Sequence, residues 1–187
     1  MHPGTSLPAP DLPEGAEQLI SPEEVRHALD RVSREIAASL AGRHPLVLAV
    51  MRGGVVFAGQ LLPLLPFPLD FDYVDATRYG AEVRGGELCW RADVPPSVRG
   101  RVVLLVDDIL DEGLTLTAIH ARLLAAGALE VRIAVFADKQ LSRRKPITAD
   151  FVGVLVPDRY VFGFGMDLRG AWRNLPAVYA LPLEKGS

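Results

Sequence analysis

Apolar residues recur along this chain with two periods, and the switching between them predicts most of its elements. Ser21-Pro22-Glu23-Glu24 has the composition of a helix start. Ser can accept from the first free amides, Pro suits the first helical position, and Glu at the third can reach back. Val25, Leu29, Val32, Ile36 and Leu40 follow three or four apart, forming one stripe of an amphipathic helix that Gly42 would stop. Pro45 to Val50 is a short apolar strand that leaves through Met51-Arg52-Gly53-Gly54. Val55 to Leu65 predicts a helix ended by Pro66 and Pro68. Leu69 to Ala76 alternates acidic and apolar residues, as a half-buried strand does. Between Arg78 and Asp93, Gly80, Gly85 and Gly86 amid mixed charge predict either a loop or a two-stranded flap. Arg101 to Val106 is a central strand, and Thr115 to Ala126 a helix capped by Gly127. Leu129 to Ala137 and Phe151 to Val156 are two more strands. Strands alternating with helices give an α/β fold class, with a mainly parallel sheet covered by helices on both faces.

Composition narrows this only a little. The 187 residues are 49% hydrophobic, enough for one packed domain, and no linker, internal repeat or low-complexity tract divides them. A net charge of −3 provides no global attraction to nucleic acid or to a membrane surface. The single cysteine, Cys89, excludes an internal disulfide framework and fits a reducing, cytoplasmic setting. No apolar run reaches the ~20 residues of a membrane span. Met1 to Glu17, with four Pro and three acids, lacks the apolar block of a secretory signal and reads as a flexible arm ahead of a domain covering residues 18–187.

The candidate chemistry begins where the central strand runs into Asp107-Asp108-Ile109-Leu110-Asp111-Glu112-Gly113-Leu114-Thr115-Leu116-Thr117. The order is strand, acidic tip, turn, helix. Free amides and the positive end of a helix dipole suit phosphate at such a turn, and Gly113 allows close backbone approach. Carboxylates beside a phosphate repel it unless the ligand also brings hydroxyl donors and a divalent metal. A phosphorylated sugar is such a ligand. Asp111 has a second, compatible reading as a helix N-terminal acid stabilised by the dipole. Taken alone, Met51–Gly54 is a glycine turn after a strand and Lys139 a solvated surface residue. Ligands of open parallel sheets bind beyond the carboxyl ends of the strands, however, and Met51–Gly54, Asp107–Thr117 and Asp138–Arg144 all fall there.

The stretch from Val102 to Thr117 resembles the ribose-phosphate signature of the type I phosphoribosyltransferases, which hold phosphoribosyl pyrophosphate. Val156-Pro157-Asp158-Arg159-Tyr160-Val161-Phe162-Gly163-Phe164-Gly165-Met166-Asp167, with Trp172-Arg173-Asn174-Leu175-Pro176 after it, resembles the purine-binding stretch of the hypoxanthine-guanine members. The likeness spans about Pro45 to Leu181.

It implies the type I phosphoribosyltransferase fold, with a small hood built from about 18–44 and 157–187 and a mobile lid at about 76–93. Asp107 and Asp108 would take the ribose hydroxyls and a magnesium ion, and Asp167 a second Mg2+. Backbone amides of Asp111, Glu112, Gly113, Leu114 and Thr115, with the hydroxyls of Thr115 and Thr117, would hold the 5′-phosphate. Arg52 and Gly53 would form the pyrophosphate loop, with a cis peptide between Met51 and Arg52, and Arg173 would also contact pyrophosphate. Lys139 would donate to purine O6, Tyr160 would stack on the base, and the Val161 backbone would read its edge. Phe162, Phe164 and Met166 also read as core residues at strand spacing. Asp111 would be the general base near N7. In the lid, Tyr79 matches the family's Ser-Tyr pair, while Arg78 stands where Ser is common and reads equally as a pyrophosphate contact or a solvated residue.

The implied activity is Mg2+-dependent purine salvage: transfer of ribose 5-phosphate to N9 of hypoxanthine or guanine, releasing pyrophosphate. The expected partners are phosphoribosyl pyrophosphate, a 6-oxopurine base and pyrophosphate, without nucleic acid or membrane, in a homo-oligomer (dimer or tetramer). Two alternatives stand beside it. One is a xanthine- and guanine-preferring enzyme of the same class; the other is a phosphoribosyltransferase fold that binds RNA or a nucleotide as a regulator, although the basic residues here are interspersed with acids.

Overall fold

Six strands carry the site: β2 (Leu46–Met51), β3 (Asp70–Arg78), β4 (Leu88–Ala92), β5 (Val102–Leu110), β6 (Glu130–Gln140) and β7 (Phe151–Pro157). They belong to a computed structural model that describes residues 12–78 and 88–182, with backbone alone at 77, 78 and 88. The expected arm up to residue 11 and the lid residue Tyr79 lie outside the described residues. The spatial order is β4-β3-β2-β5-β6-β7. All neighbours are parallel except β4, which runs antiparallel to β3. The stretch between Arg78 and Asp93 therefore ends in the second strand of a flap.

Both faces of the central strands β2 and β5 are buried, which is why these strands are apolar without alternation. Val102, Leu104 and Val106 of β5 pack with helices α1 (Pro22–Leu40) and α2 (Val55–Leu61). Val103 and Leu105 pack with helix α3 (Leu114–Ala125) on the other side. The start of α1 follows the sequence expectation: Ser21 accepts from the Glu24 amide at 3.2 Å, and Glu24 accepts from the Ser21 amide at 2.8 Å. Helix α2 is shorter than expected because Pro63 removes a donor, and the chain tightens into a 3₁₀ turn over Leu62–Leu64.

Two strands outrun their expected ends. Strand β5 continues past Val106 to Leu110 and β6 past Ala137 to Gln140, because the parallel ladders persist to Leu110↔Asp138 and Gln140↔Pro157. Asp107, Asp108 and Lys139 therefore lie in strands rather than in loops beyond them. Their positions are fixed by ladder hydrogen bonds, a stiffer mounting than a loop.

A separate three-stranded antiparallel sheet, ordered β1-β9-β8, sits over the site from β1 (Glu17–Ile20), β8 (Val161–Phe162) and β9 (Val178–Ala180). Phe162 and Tyr179 stack there at 5.7 Å within a small core of their own. Of the stretch 18–44 assigned to the hood, only β1 joins this sheet. Helix α1 lies on the main sheet, with Val32, Ile36 and Leu40 fully buried and Arg31 donating to the carbonyl of Val152 in β7 at 2.9 Å. Among the described residues no helix is long and apolar enough to cross a membrane.

Candidate active site

The carboxyl ends of β2, β5 and β6 open into two connected hollows. The larger, about 520 Å³, is lined by Arg52, Gly53, Asp107, Asp108, Arg173 and the turn from Asp111 to Thr115. The smaller, about 230 Å³, is lined by Lys139, Tyr160, Val161 and Met166. Asp108, Ile109, Asp111 and Asp167 border both.

Burial dominates the electrostatics of the acid pair. Asp107 and Asp108 are each 8% exposed. Burial, and then the repulsion of Asp108, holds the Asp107 carboxyl well above the usual carboxylate range. Burial also raises Asp108, against hydrogen bonds from its surroundings and the attraction of Arg173. Each carboxylate accepts the next amide along the strand: Asp107 from Asp108 at 2.9 Å and Asp108 from Ile109 at 2.8 Å. Arg173 stands 3.7 Å from Asp108, donates to the Gly165 carbonyl at 2.6 Å and pairs with Asp167. Asp167 also accepts from the Gly170 amide at 2.7 Å.

The turn between β5 and α3 has the form that anion binding requires. Gly113 adopts φ 79°, a left-handed conformation costly for other residues, and α3 begins at the next residue. The amides of its first turn have no helical partner, and Leu114, Thr115 and Leu116 line the larger hollow. The hydroxyl of Thr117 differs from expectation: it donates to the Gly113 carbonyl at 2.7 Å, closing the helix's own first turn instead of facing the hollow.

The Met51–Arg52 peptide is cis. The loop it opens presses on the acid pair so closely that a Cβ on Gly53 would stand 2.2 Å from Asp108 Oδ2. On the other side, Lys139 Nζ donates to Asp111 Oδ2 at 2.6 Å. Two residues given separate roles from sequence are thus partners here. Tyr160 is half exposed at the rim, its hydroxyl donating to the Asp167 carbonyl at 3.2 Å.

The Phosphoribosyl transferase domain profile matches residues 16–169. The chain belongs to the phosphoribosyltransferase family. It is 34% identical to the hypoxanthine-guanine phosphoribosyltransferase of Bacillus subtilis, over 87% of this chain and 91% of that one. The Aquifex aeolicus protein of that name is 32% identical over 86% and 92%. A bifunctional TilS/HprT protein of Listeria innocua is 36% identical, but the match spans only 26% of its length. Among solved structures, a hypoxanthine phosphoribosyltransferase from Staphylococcus aureus superposes with a TM-score of 0.83 at 28% identity, covering 89% of this chain and 91% of that one.

For a phosphoribosyltransferase site, the structure brings together Arg52, Gly53, Asp107, Asp108, Asp111, Glu112, Gly113, Leu114, Thr115 and Arg173, with Lys139, Tyr160, Val161 and Asp167 adjoining. Sequence reasoning missed two supporting residues, Arg143 and Lys145. Glu112 pairs with Arg143, and Asp138 with Lys145. Phe164 is fully buried against Phe136 at 4.1 Å and roots the hood segment in the main core. The spacing of Phe162, Phe164 and Met166 suggested a strand, but Gly163, Phe164 and Gly165 all take positive φ and the chain turns sharply there. Only the glycines hinted at this.

Proposed function

We propose that this chain transfers the ribose 5-phosphate group of phosphoribosyl pyrophosphate to N9 of hypoxanthine or guanine, giving the nucleotide and pyrophosphate. The observation that carries this reading is the shared wall of the two hollows. A phosphate-sized turn and a base-sized cleft meet at Asp108, Ile109, Asp111 and Asp167, where a ribose joining phosphate to base would lie.

The residues fit magnesium. It keeps several waters and uses one or two carboxylates plus substrate oxygens. Among the described residues no three His, Cys or acidic side chains form a ready cage, while Asp107 and Asp108 form a buried pair with little counter-charge. When bound there with the donor's oxygens, magnesium would neutralise charge on the departing pyrophosphate. Asp167 would serve a second ion.

In this reading Asp107 and Asp108 accept the ribose hydroxyls, and the amides of Asp111 to Thr115 hold the 5′-phosphate. Arg52 and Arg173 face the pyrophosphate and oppose its growing charge as the C1′ bond loosens. Tyr160 stacks on the purine, and the Val161 backbone meets its edge. Lys139 has three donors, so it can keep Asp111 and still donate to O6, which adenine's amino group cannot accept. Asp111 takes a proton at N7 as N9 bonds to C1′. Tyr79, outside the described residues, is the further pyrophosphate contact that the family resemblance implies. A cytosolic setting and a homo-oligomer complete the reading, supported by the relatives' family and by exposed apolar side chains such as Phe71 and Tyr73 on β3.

The test is a base panel with magnesium and donor, read as pyrophosphate release. Guanine and hypoxanthine should react, and adenine slower by roughly 10³-fold or more. Silence with every purine refutes the proposal. Asp111→Asn should lower turnover roughly 10²–10⁴-fold while donor KM changes little. Matching losses in both would remove Asp111 from proton transfer.

A further inference from the structure

Lys145 lies outside every residue assigned to substrate, on the loop that joins β6 to β7. Its side chain is 11% exposed. Its ammonium makes two bonds inward: to the carbonyl of Leu110 at 2.6 Å and to the carboxylate of Asp138. Leu110 and Asp138 are register partners, the last rung of the β5–β6 ladder. The residue after Leu110 is Asp111, and the residue after Asp138 is Lys139. Those two side chains meet at 2.6 Å where the purine would enter.

We infer that Lys145 is a positioning residue: it locks the final rung of the central ladder and so fixes the distance between Asp111 and Lys139. This rests on the purine-transfer reading above. The physical need is plain. Strand β5 ends at Leu110, and the carbonyl there takes the Lys145 ammonium just where the chain turns into the phosphate loop. Leu110 is 1% exposed; a buried carbonyl needs a donor, and a charged donor bonds more strongly than a neutral one. Asp138, 22% exposed, in turn gives the ammonium a counter-charge that burial would otherwise make costly.

The same loop supports the phosphate turn twice more. Arg143 pairs with Glu112, and Ile147 Cγ2 lies 3.2 Å from where a Cβ on Gly113 would stand. The Arg143–Glu112 pair is exposed on both sides and contributes little. Lys145 is the inner contact, and the one that touches both strand ends.

A double replacement separates positioning from charge neutralisation. Lys145→Met alone strands the Asp138 carboxylate and can simply unfold the protein. Asp138→Leu with Lys145→Met removes both charges, keeps apolar bulk, and still takes the Lys145 ammonium from the Leu110 carbonyl. In that full-length double variant, base KM should rise and turnover fall, together costing roughly 10- to 100-fold in kcat/KM for guanine. Donor KM should stay within about twofold. Asp138→Asn with Lys145→Gln, a neutral pair that can still donate to Leu110, should recover most of the loss.

Hydrogen–deuterium exchange gives a readout that needs no catalysis: amides across Ile109–Gly113 should exchange roughly tenfold faster in the Leu/Met variant than in the parent. Parental guanine kinetics, or equal losses on donor and base, would overturn the inference, as would unchanged exchange. If the parent itself releases no pyrophosphate with any purine, the transfer reading fails, and exchange alone then decides whether Lys145 locks the rung.

Discussion

At the scale of single residues, proximity between groups of fixed position matters more here than the chemistry of any one of them. Gly53 shows this most directly. Its Cα approaches the Asp108 carboxylate so closely that a methyl group would overlap both oxygens, at 2.2 and 2.6 Å. The obstacle is a buried acid held by the Ile109 amide of its own strand, not the far end of a flexible side chain. Gly53→Ala should therefore lower kcat/KM for the donor by roughly a hundredfold or more while the protein remains folded, as measured by steady-state kinetics beside a melting curve. Parental donor kinetics would show that the pyrophosphate loop need not touch the acid pair. The Asp111–Lys139 contact belongs to this scale as well: each residue was singled out from its own motif, and only their 2.6 Å separation makes them one unit.

At the scale of elements, the hood depends on one aromatic anchor. Strand β8 is two residues long and contributes little pairing by itself. What holds the following turn in place is Phe164, fully buried among residues of α2 and β6, with Phe136 at 4.1 Å and Phe57 beyond it at 5.7 Å from Phe136. The same turn presents the Gly165 carbonyl to Arg173 and leads to Asp167. Phe164→Ala should cost about 3–5 kcal/mol of stability, read from denaturant unfolding. It should also raise KM for the base, because Tyr160 and Val161 lie just ahead of the anchor. A loss below about 1 kcal/mol would mean that the hood is held by its own sheet.

For the whole molecule, the buried acid pair makes stability depend on pH with opposite signs in two ranges. Glu24, Asp70, Asp93 and Glu130 are held below the usual carboxylate range, chiefly by hydrogen bonds: from the Ser21 backbone, from Arg101, from Arg122, and from Arg43 with Arg132. Their contribution is present above their unfolded values and is lost as pH falls through the lower folded ones. Asp107 behaves oppositely. Its folded pKa is raised, so between the unfolded and folded values the native state binds more protons, and stability falls as pH rises. The free protein should therefore melt highest just above the ordinary carboxylate range and decline toward neutrality. Asp107→Asn should flatten that decline and raise the melting temperature at pH 7, while abolishing donor binding. A parental slope in the variant would show that the pair does not set the decline.

What the sequence determined by itself was whatever local pattern can encode. The helix start at Ser21, the both-sides-apolar strands and the glycine turn at Gly113 follow from nearest-neighbour sterics and from periodicity. The order of motifs placed most site residues at one sheet edge, because parallel topology sends every strand's carboxyl end the same way. The tertiary structure alone decided how far β5 and β6 run, since ladder length depends on partners distant in sequence. It also decided that α1 covers the main sheet rather than the hood, that Thr117 turns back on its own helix, and that Lys145 spans the last rung. Each of these depends on which surfaces meet, and a linear pattern carries that information only weakly.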